Sequence, residues 1–159
     1  MLEFLAAGDV QLPPLRLRLQ EAQTKSGGVS IDATVEARWE KGTQIFALEC
    51  RAQTSPRALE DAASRAKLAA VPPDRYPMIL VPYLSRENLE RLEALEVSGL
   101  DLCGNGYVRI PGRLLILKSG APNRFPRRQP IANPYRGSAS LVARTLLLHS
   151  LFPTAKAVL

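Results

Sequence analysis

The stretch Val29 to Trp39 constrains this chain more than any other. Val29, Ile31, Ala33, Val35, Ala37 and Trp39 fall on one side of a two-residue repeat, and Ser30, Asp32, Thr34, Glu36 and Arg38 on the other. A period of two cannot be laid along a helix, so the segment predicts a strand with one face in a core and one face wet. Glu40-Lys41-Gly42-Thr43 supplies a short turn, and Gln44 to Arg51 returns as a second strand, giving an antiparallel hairpin.

The neighbouring segments build an α/β domain around that hairpin. Ser55-Pro56 opens a helix whose apolar stripe is Leu59, Ala62, Ala63, Ala66 and Ala69, and Pro72-Pro73 closes it. Its small alanines suit close packing on a sheet. Met78 to Val81 is apolar throughout and bounded by prolines, as in a strand buried on both faces. Ser85 caps a helix carrying Leu89, Leu92 and Leu95, with Glu87 in its first turn. Leu100 to Cys103 and Tyr107 to Ile110 flank Gly104-Asn105-Gly106, a hairpin signal of the type I′ kind, and Leu114 to Leu117 adds a last strand. Upstream, Pro13 to Ser26 alternates at Leu15, Leu17 and Leu19, yet Leu12, Leu15, Leu19 and Ala22 also share helical spacing. With Pro13-Pro14 at its start the segment is expected to be a helix.

At 159 residues and 46% hydrophobic, the chain has enough material for one core. No apolar run approaches the roughly 18–20 residues of a membrane helix, and MLEFLAAGDVQLPP lacks the pattern of a secretory signal, so a cytoplasmic protein without a membrane partner is expected. Cys50 and Cys103 each sit in an apolar run with no second ligand nearby, and are expected as free thiols. Charge is distributed unevenly. All 15 acidic residues lie at or before Asp101, and beyond it stand nine cations with no acid among them: Arg109, Arg113, Lys118, Arg124, Arg127, Arg128, Arg136, Arg144 and Lys156. Such an asymmetry is suited to a polyanion, foremost nucleic acid. Arg113, Lys118, Arg124, Arg127, Arg128 and Arg136 are the candidate phosphate contacts. The expected layout is a core over 1–118, a basic Pro/Asn/Arg arm over 119–137, and a helical segment over 138–159 with the look of the start of a DNA-binding unit. His149, in that apolar segment, is expected to be a packed residue.

On the polar face of the hairpin, Asp32 belongs to the first strand, while Glu49 and Arg51, two apart on the second, point the same way. Two carboxylates brought together repel unless a cation joins them, and hard oxygen ligands with open water positions suit Mg²⁺. Ile31-Asp32, then Glu49-Cys50-Arg51, then the alanine-rich helix from Pro56 resemble the PD-(D/E)xK, or restriction-endonuclease-like, nuclease superfamily over about residues 13–118. The resemblance implies a mixed sheet flanked by helices, with Asp32 and Glu49 holding the metal and the Cys50 carbonyl as a further ligand. Arg51 would stand at the lysine position, facing the scissile phosphate; a winged-helix-type unit could follow the core. An arginine stays protonated, so Arg51 can orient a phosphate but cannot serve as a base. Lys67, on the following helix, is a candidate for a displaced ammonium, and Asp101 for a further acid.

Two functional readings follow. In one, the chain binds nucleic acid, DNA before RNA, and hydrolyses phosphodiesters with Mg²⁺ through Asp32, Glu49 and Arg51. In the other, the same fold is catalytically inactive and serves as a DNA-binding regulator or a dimerisation module. A purely structural alternative for Asp32, Glu36, Glu49 and Arg51 is a set of cross-strand ion pairs on a wet sheet face.

Overall fold

In the computed structural model, which describes residues 1–8, 10–26 and 28–126, the chain runs α1 (Leu2–Ala6), β1 (Arg16–Ser26), β2 (Val29–Trp39), β3 (Gly42–Cys50), α2 (Pro56–Ala69), β4 (Arg75–Val81), α3 (Arg86–Ala94), β5 (Ser98–Asp101), β6 (Gly106–Ile110) and β7 (Leu114–Lys118). Residues 127–137 of the expected arm and the whole expected helix over 138–159, with Arg127, Arg128, Arg136 and His149, lie outside the described residues. The seven strands form one sheet in sequence order. β1, β2 and β3 are antiparallel, β3, β4 and β5 are parallel, and β6 and β7 return antiparallel. This is the mixed α/β architecture expected, a sheet flanked by helices. Met1–Phe125 forms one compact unit.

The parallel centre follows from the two helical crossovers. Ser55 caps α2 by accepting from the Ala58 amide at 3.4 Å, and Ser85 caps α3 by accepting from the Asn88 amide at 3.3 Å. The stripe Leu59, Ala62, Ala63, Ala66 and Ala69 is buried along α2, as are Leu89 and Leu92 on α3. Both helices press on Ile79, Val81 and Tyr107. Gly99 lets α3 come close, since a Cβ there would collide with the Leu92 side chain. The other face carries the larger cluster of Ala33, Val35, Ala37, Phe46, Leu48, Met78, Leu80, Leu100, Val108 and Ile110, closed by Leu5, Val10, Leu12 and Leu15 from the N-terminal segment.

Three local expectations are corrected. Pro13 to Ser26 does not form a helix: Arg16–Ser26 is β1, with Leu17 opposite Ala37 and Leu19 opposite Val35, and a register shift between Leu19 and Glu21. The leucine alternation wins because β2 offers a long edge whose apolar face needs a partner, a tertiary gain that outweighs weak helical spacing. The centre of β2 is buried on both faces from Ala33 to Ala37, not half-wet, because α2 packs on its polar side. Asn105-Gly106 is not a two-residue turn either. The β5–β6 connection spans Leu102 to Asn105, Gly104 takes the positive φ of +99°, and Asn105 is buried. Among the described residues, no helix is long and apolar enough to cross a membrane.

Candidate functional site

β2 and β3 are in register at Ala33 and Leu48, and continuing that ladder by one residue sets Asp32 beside Glu49. There the ladder ends in a side chain: Asp32 Oδ2 accepts the Cys50 amide at 2.7 Å. Arg51 leaves β3 with its own amide on the Leu80 carbonyl at 2.9 Å, so the backbone at this point is held by both neighbours. Its guanidinium then folds back. Nη1 donates to the Cys50 carbonyl at 2.8 Å and lies 3.7 Å from Asp32 Oδ2, while Nη2 lies 2.8 Å from Glu49 Oε2.

Glu49 lies under α2 with its side chain 0% exposed, whereas Asp32 is 41% and Arg51 28% exposed. A second guanidinium reaches Glu49 from α2: Arg65 Nε is 3.4 Å from the same Oε2, and Arg65 Nη2 donates to the Ser30 carbonyl at 3.2 Å. Oε2 thus lies within two ion pairs, yet neither Oε1 nor Oε2 has a hydrogen-bond partner. A buried carboxylate would be costly alone, and the two guanidiniums offset part of that cost by charge. Cys50, half-buried against the core, has its thiol pushed up to about 12, first by burial and next by the charge of Asp32.

The chemistry of the donor set suits Mg²⁺, two carboxylates and a carbonyl, but the arrangement does not. One guanidinium touches all three candidate ligands. Glu49 also has no surface from which a bound cation could keep its waters. Among the described residues, no three of His, Cys, Asp and Glu converge as a metal cage. Asp32, Glu49 and Arg51 as they stand form ion pairs, Arg51 with Asp32 across the hairpin and with the buried Glu49 two residues before it. Glu36 pairs within its own strand, with Arg38 at 2.8 Å, not across strands.

The remaining candidates divide by the end of the sheet they occupy. Cys50, Leu80, Leu100, Gly106 and Lys118 are successive partners in one row across five strands, so Lys118 stands at the same end as the acid pair, about 19 Å away at some 4.8 Å per strand. Arg124 is at that end too: its amide donates to Cys103 Sγ at 3.4 Å and its guanidinium to the Leu102 carbonyl. This is the carboxyl end of the parallel strands, where α/β sheets present their binding crevices. Arg113 is at the opposite end, in the β6–β7 turn, where its guanidinium lies 5.3 Å from the Trp39 ring centre and donates to Gln44 Oε1 at 3.2 Å. Lys67 also points away from the acids. It lines a cavity of about 370 Å³ with Tyr76, Glu96, Ser98 and Arg109, beside the amino ends of β4 and β5.

Asp101 is structural. Its carboxylate is buried and accepts from the amides of Leu84, Cys103 and Asn105 and from Asn105 Nδ2, all at 2.7–2.8 Å. Asn105 in turn exchanges hydrogen bonds with the Ala121 backbone at 2.8 and 3.3 Å, tying the start of the basic arm to the β5–β6 loop. Arg65 and the Asn105 clamp were not foreseen. The one signal for Arg65 is its position between Ser64 and Ala66 on α2, the helix that packs on β3.

No family model matches the chain, and no curated protein sequence gives a significant match. Among solved structures, a repair endonuclease from Pyrococcus abyssi is similar, with a TM-score of 0.40 and 12% identity over 60% of this chain. The chain spans 39% of that protein's length.

Proposed function

We propose that this chain is a nucleic-acid-binding module of nuclease-like α/β fold whose acid pair is neutralised from within, a DNA-binding regulator and not a hydrolase. The observation that carries this reading is the Arg51 guanidinium in contact with Asp32, Glu49 and the Cys50 carbonyl together. Support for the ligand comes from charge: the chain beyond Asp101 is free of acids, and Lys118 and Arg124 sit at the carboxyl end of the parallel strands. Arg127, Arg128 and Arg136 continue that run in sequence, and a homodimer would double it.

The test is anisotropy of labelled DNA and RNA across a salt series, with gels for cleavage in Mg²⁺ or Mn²⁺. Binding is expected to weaken steeply with salt, and Arg127→Ala with Arg128→Ala to weaken it on every sequence while flattening the log–log slope by about 2. No cleavage is expected. Failure to bind any nucleic acid at low salt would sink the proposal. The second reading, a Mg²⁺-dependent phosphodiesterase, is favoured by one feature, the buried Glu49 carboxylate, neither of whose oxygens has a hydrogen-bond partner. Metal-dependent cleavage lost in both Asp32→Ala and Glu49→Ala would establish it.

A further inference from the structure

Exposed phenylalanine is uncommon on a small soluble unit, because burying the ring is worth far more than leaving it in water. Of the four phenylalanines, Phe46 is in the core, Phe152 is outside the described residues, and the other two, Phe4 and Phe125, are 42% and 39% exposed. Both line one cavity of about 270 Å³, with Leu102 and Arg124 as its other walls. That volume falls just below the roughly 300–1,000 Å³ of sites that take a whole drug-sized ligand, and suits one planar ring system.

Local hydrogen bonds hold these walls in place. Asn105 clamps Ala121, Arg124 is fixed to Leu102 and Cys103, and Asn123 Oδ1 accepts the Phe125 amide at 2.8 Å, a short-range turn that sets the ring's position. Opposite, Leu5 anchors α1 in the core and leaves Phe4 outward. Two π-faces beside a guanidinium are the parts from which sequence-tolerant readers of unpaired bases are built, with the cation serving the backbone and the rings serving the bases. The charge around the slot agrees: Arg124-Phe125-Pro126-Arg127-Arg128 interleaves an aromatic with three cations inside the acid-free part of the chain.

We infer that Phe4, Phe125 and Arg124 form a stacking slot for an unpaired base of a single-stranded nucleic acid. This deepens the nucleic-acid reading above and rests on it. The full chain is titrated against labelled single strands of about 12 nucleotides, the matching duplex, and an abasic strand of equal length. Single strands should bind more tightly than the duplex. Phe125→Ala and Phe4→Ala should each weaken single-strand binding about 5- to 150-fold with an unchanged salt slope, since no charge is lost. Phe125→Trp should keep it, and on the abasic strand Phe125→Ala should make no difference. Phe125→Leu, which keeps apolar bulk without a π-face, guards against a folding defect and should weaken binding like the alanine variant. Wild-type binding in both alanine variants, with oligonucleotide binding intact, would overturn the slot and leave the nucleic-acid reading standing. Absence of oligonucleotide binding in the wild type would bring down both. Self-association lost in Phe125→Ala without any change in oligonucleotide affinity would assign the rings to a protein contact and likewise overturn the slot.

Discussion

Replacing Arg51 by alanine tests whether an internal cation holds the acid pair. Glu49 is wholly buried, and its Oε2 loses the nearer of two guanidinium partners, at 2.8 Å, keeping only Arg65 at 3.4 Å. Removing one member of a buried pair typically costs about 3–5 kcal/mol, because the other charge is left uncompensated. Arg65 remains and the site is partly wet on the Asp32 side, so about 2–3 kcal/mol is expected here. For a unit of this size that lowers Tm by about 10 °C. The same substitution frees the Cys50 carbonyl and opens the space between the carboxylates, so the variant should respond to divalent metal more strongly than the wild type. With a Kd near 1 mM, 10 mM Mg²⁺ returns about 1.4 kcal/mol. Neutralising the buried acid as well, with Glu49→Gln on Arg51→Ala, should recover about 1–2 kcal/mol and abolish the metal response. Thermal melting with and without Mg²⁺ reads all of this. A wild-type Tm that rises with Mg²⁺ as much as the variant's, or an Arg51→Ala protein as stable as wild type within about 0.5 kcal/mol, would refute the idea that the guanidinium takes the cation's place.

Two further outcomes are expected. Asp101→Asn puts an amide NH₂ against two of the four donors now facing the carboxylate, whichever way it turns, and should cost about 2–3 kcal/mol in urea unfolding with an unchanged m-value; a loss below about 0.5 kcal/mol would show the network to be dispensable. The Cys50 thiol is held up at about 12 against an ordinary 9.0, so the folded state keeps its proton where the unfolded chain has lost it. Stability from this group is complete below pH 9 and declines as pH rises from 9 towards 12. On a Cys103→Ser background at pH 9, disulfide-reagent labelling of folded protein should be several hundred-fold slower than in urea, and equal rates would contradict the burial.

The fold was readable wherever pattern and environment asked for the same thing. β2 and β3 showed themselves by period and turn, α2 by its alanine stripe between Ser55-Pro56 and Pro72-Pro73, and β4 by an apolar run that only a two-faced burial explains. β1 was not, because Leu15, Leu17 and Leu19 fit two periods at once and the deciding term is pairing with β2, which is non-local. The β5–β6 loop was misread for a related reason. Asn and Gly in sequence advertise positive φ, but Asn105 is placed by its hydrogen bonds to Asp101 and Ala121, four and sixteen residues away.

The site shows a sharper boundary between what spacing reveals and what it hides. Strand parity puts Glu49 and Arg51 on one face and the hairpin brings Asp32 near without fixing the register, and the structure has both acids within reach of the Arg51 guanidinium. What they do there depends on a property spacing does not carry, how deep the second acid lies. A half-exposed glutamate beside Asp32 would leave room for a hydrated divalent ion, and a flexible lysine at 51 could retreat from it as a point charge. A glutamate sealed under the alanines of α2 cannot keep hydration. It takes tethered guanidiniums as its counter-charges, and that of Arg51 also reaches the Asp32 carboxylate and the Cys50 carbonyl with its other nitrogen. The helix whose alanine stripe makes the α/β fold legible packs on the strand that carries Glu49, and burial there is what turns a metal-ligand pattern into an internal salt bridge.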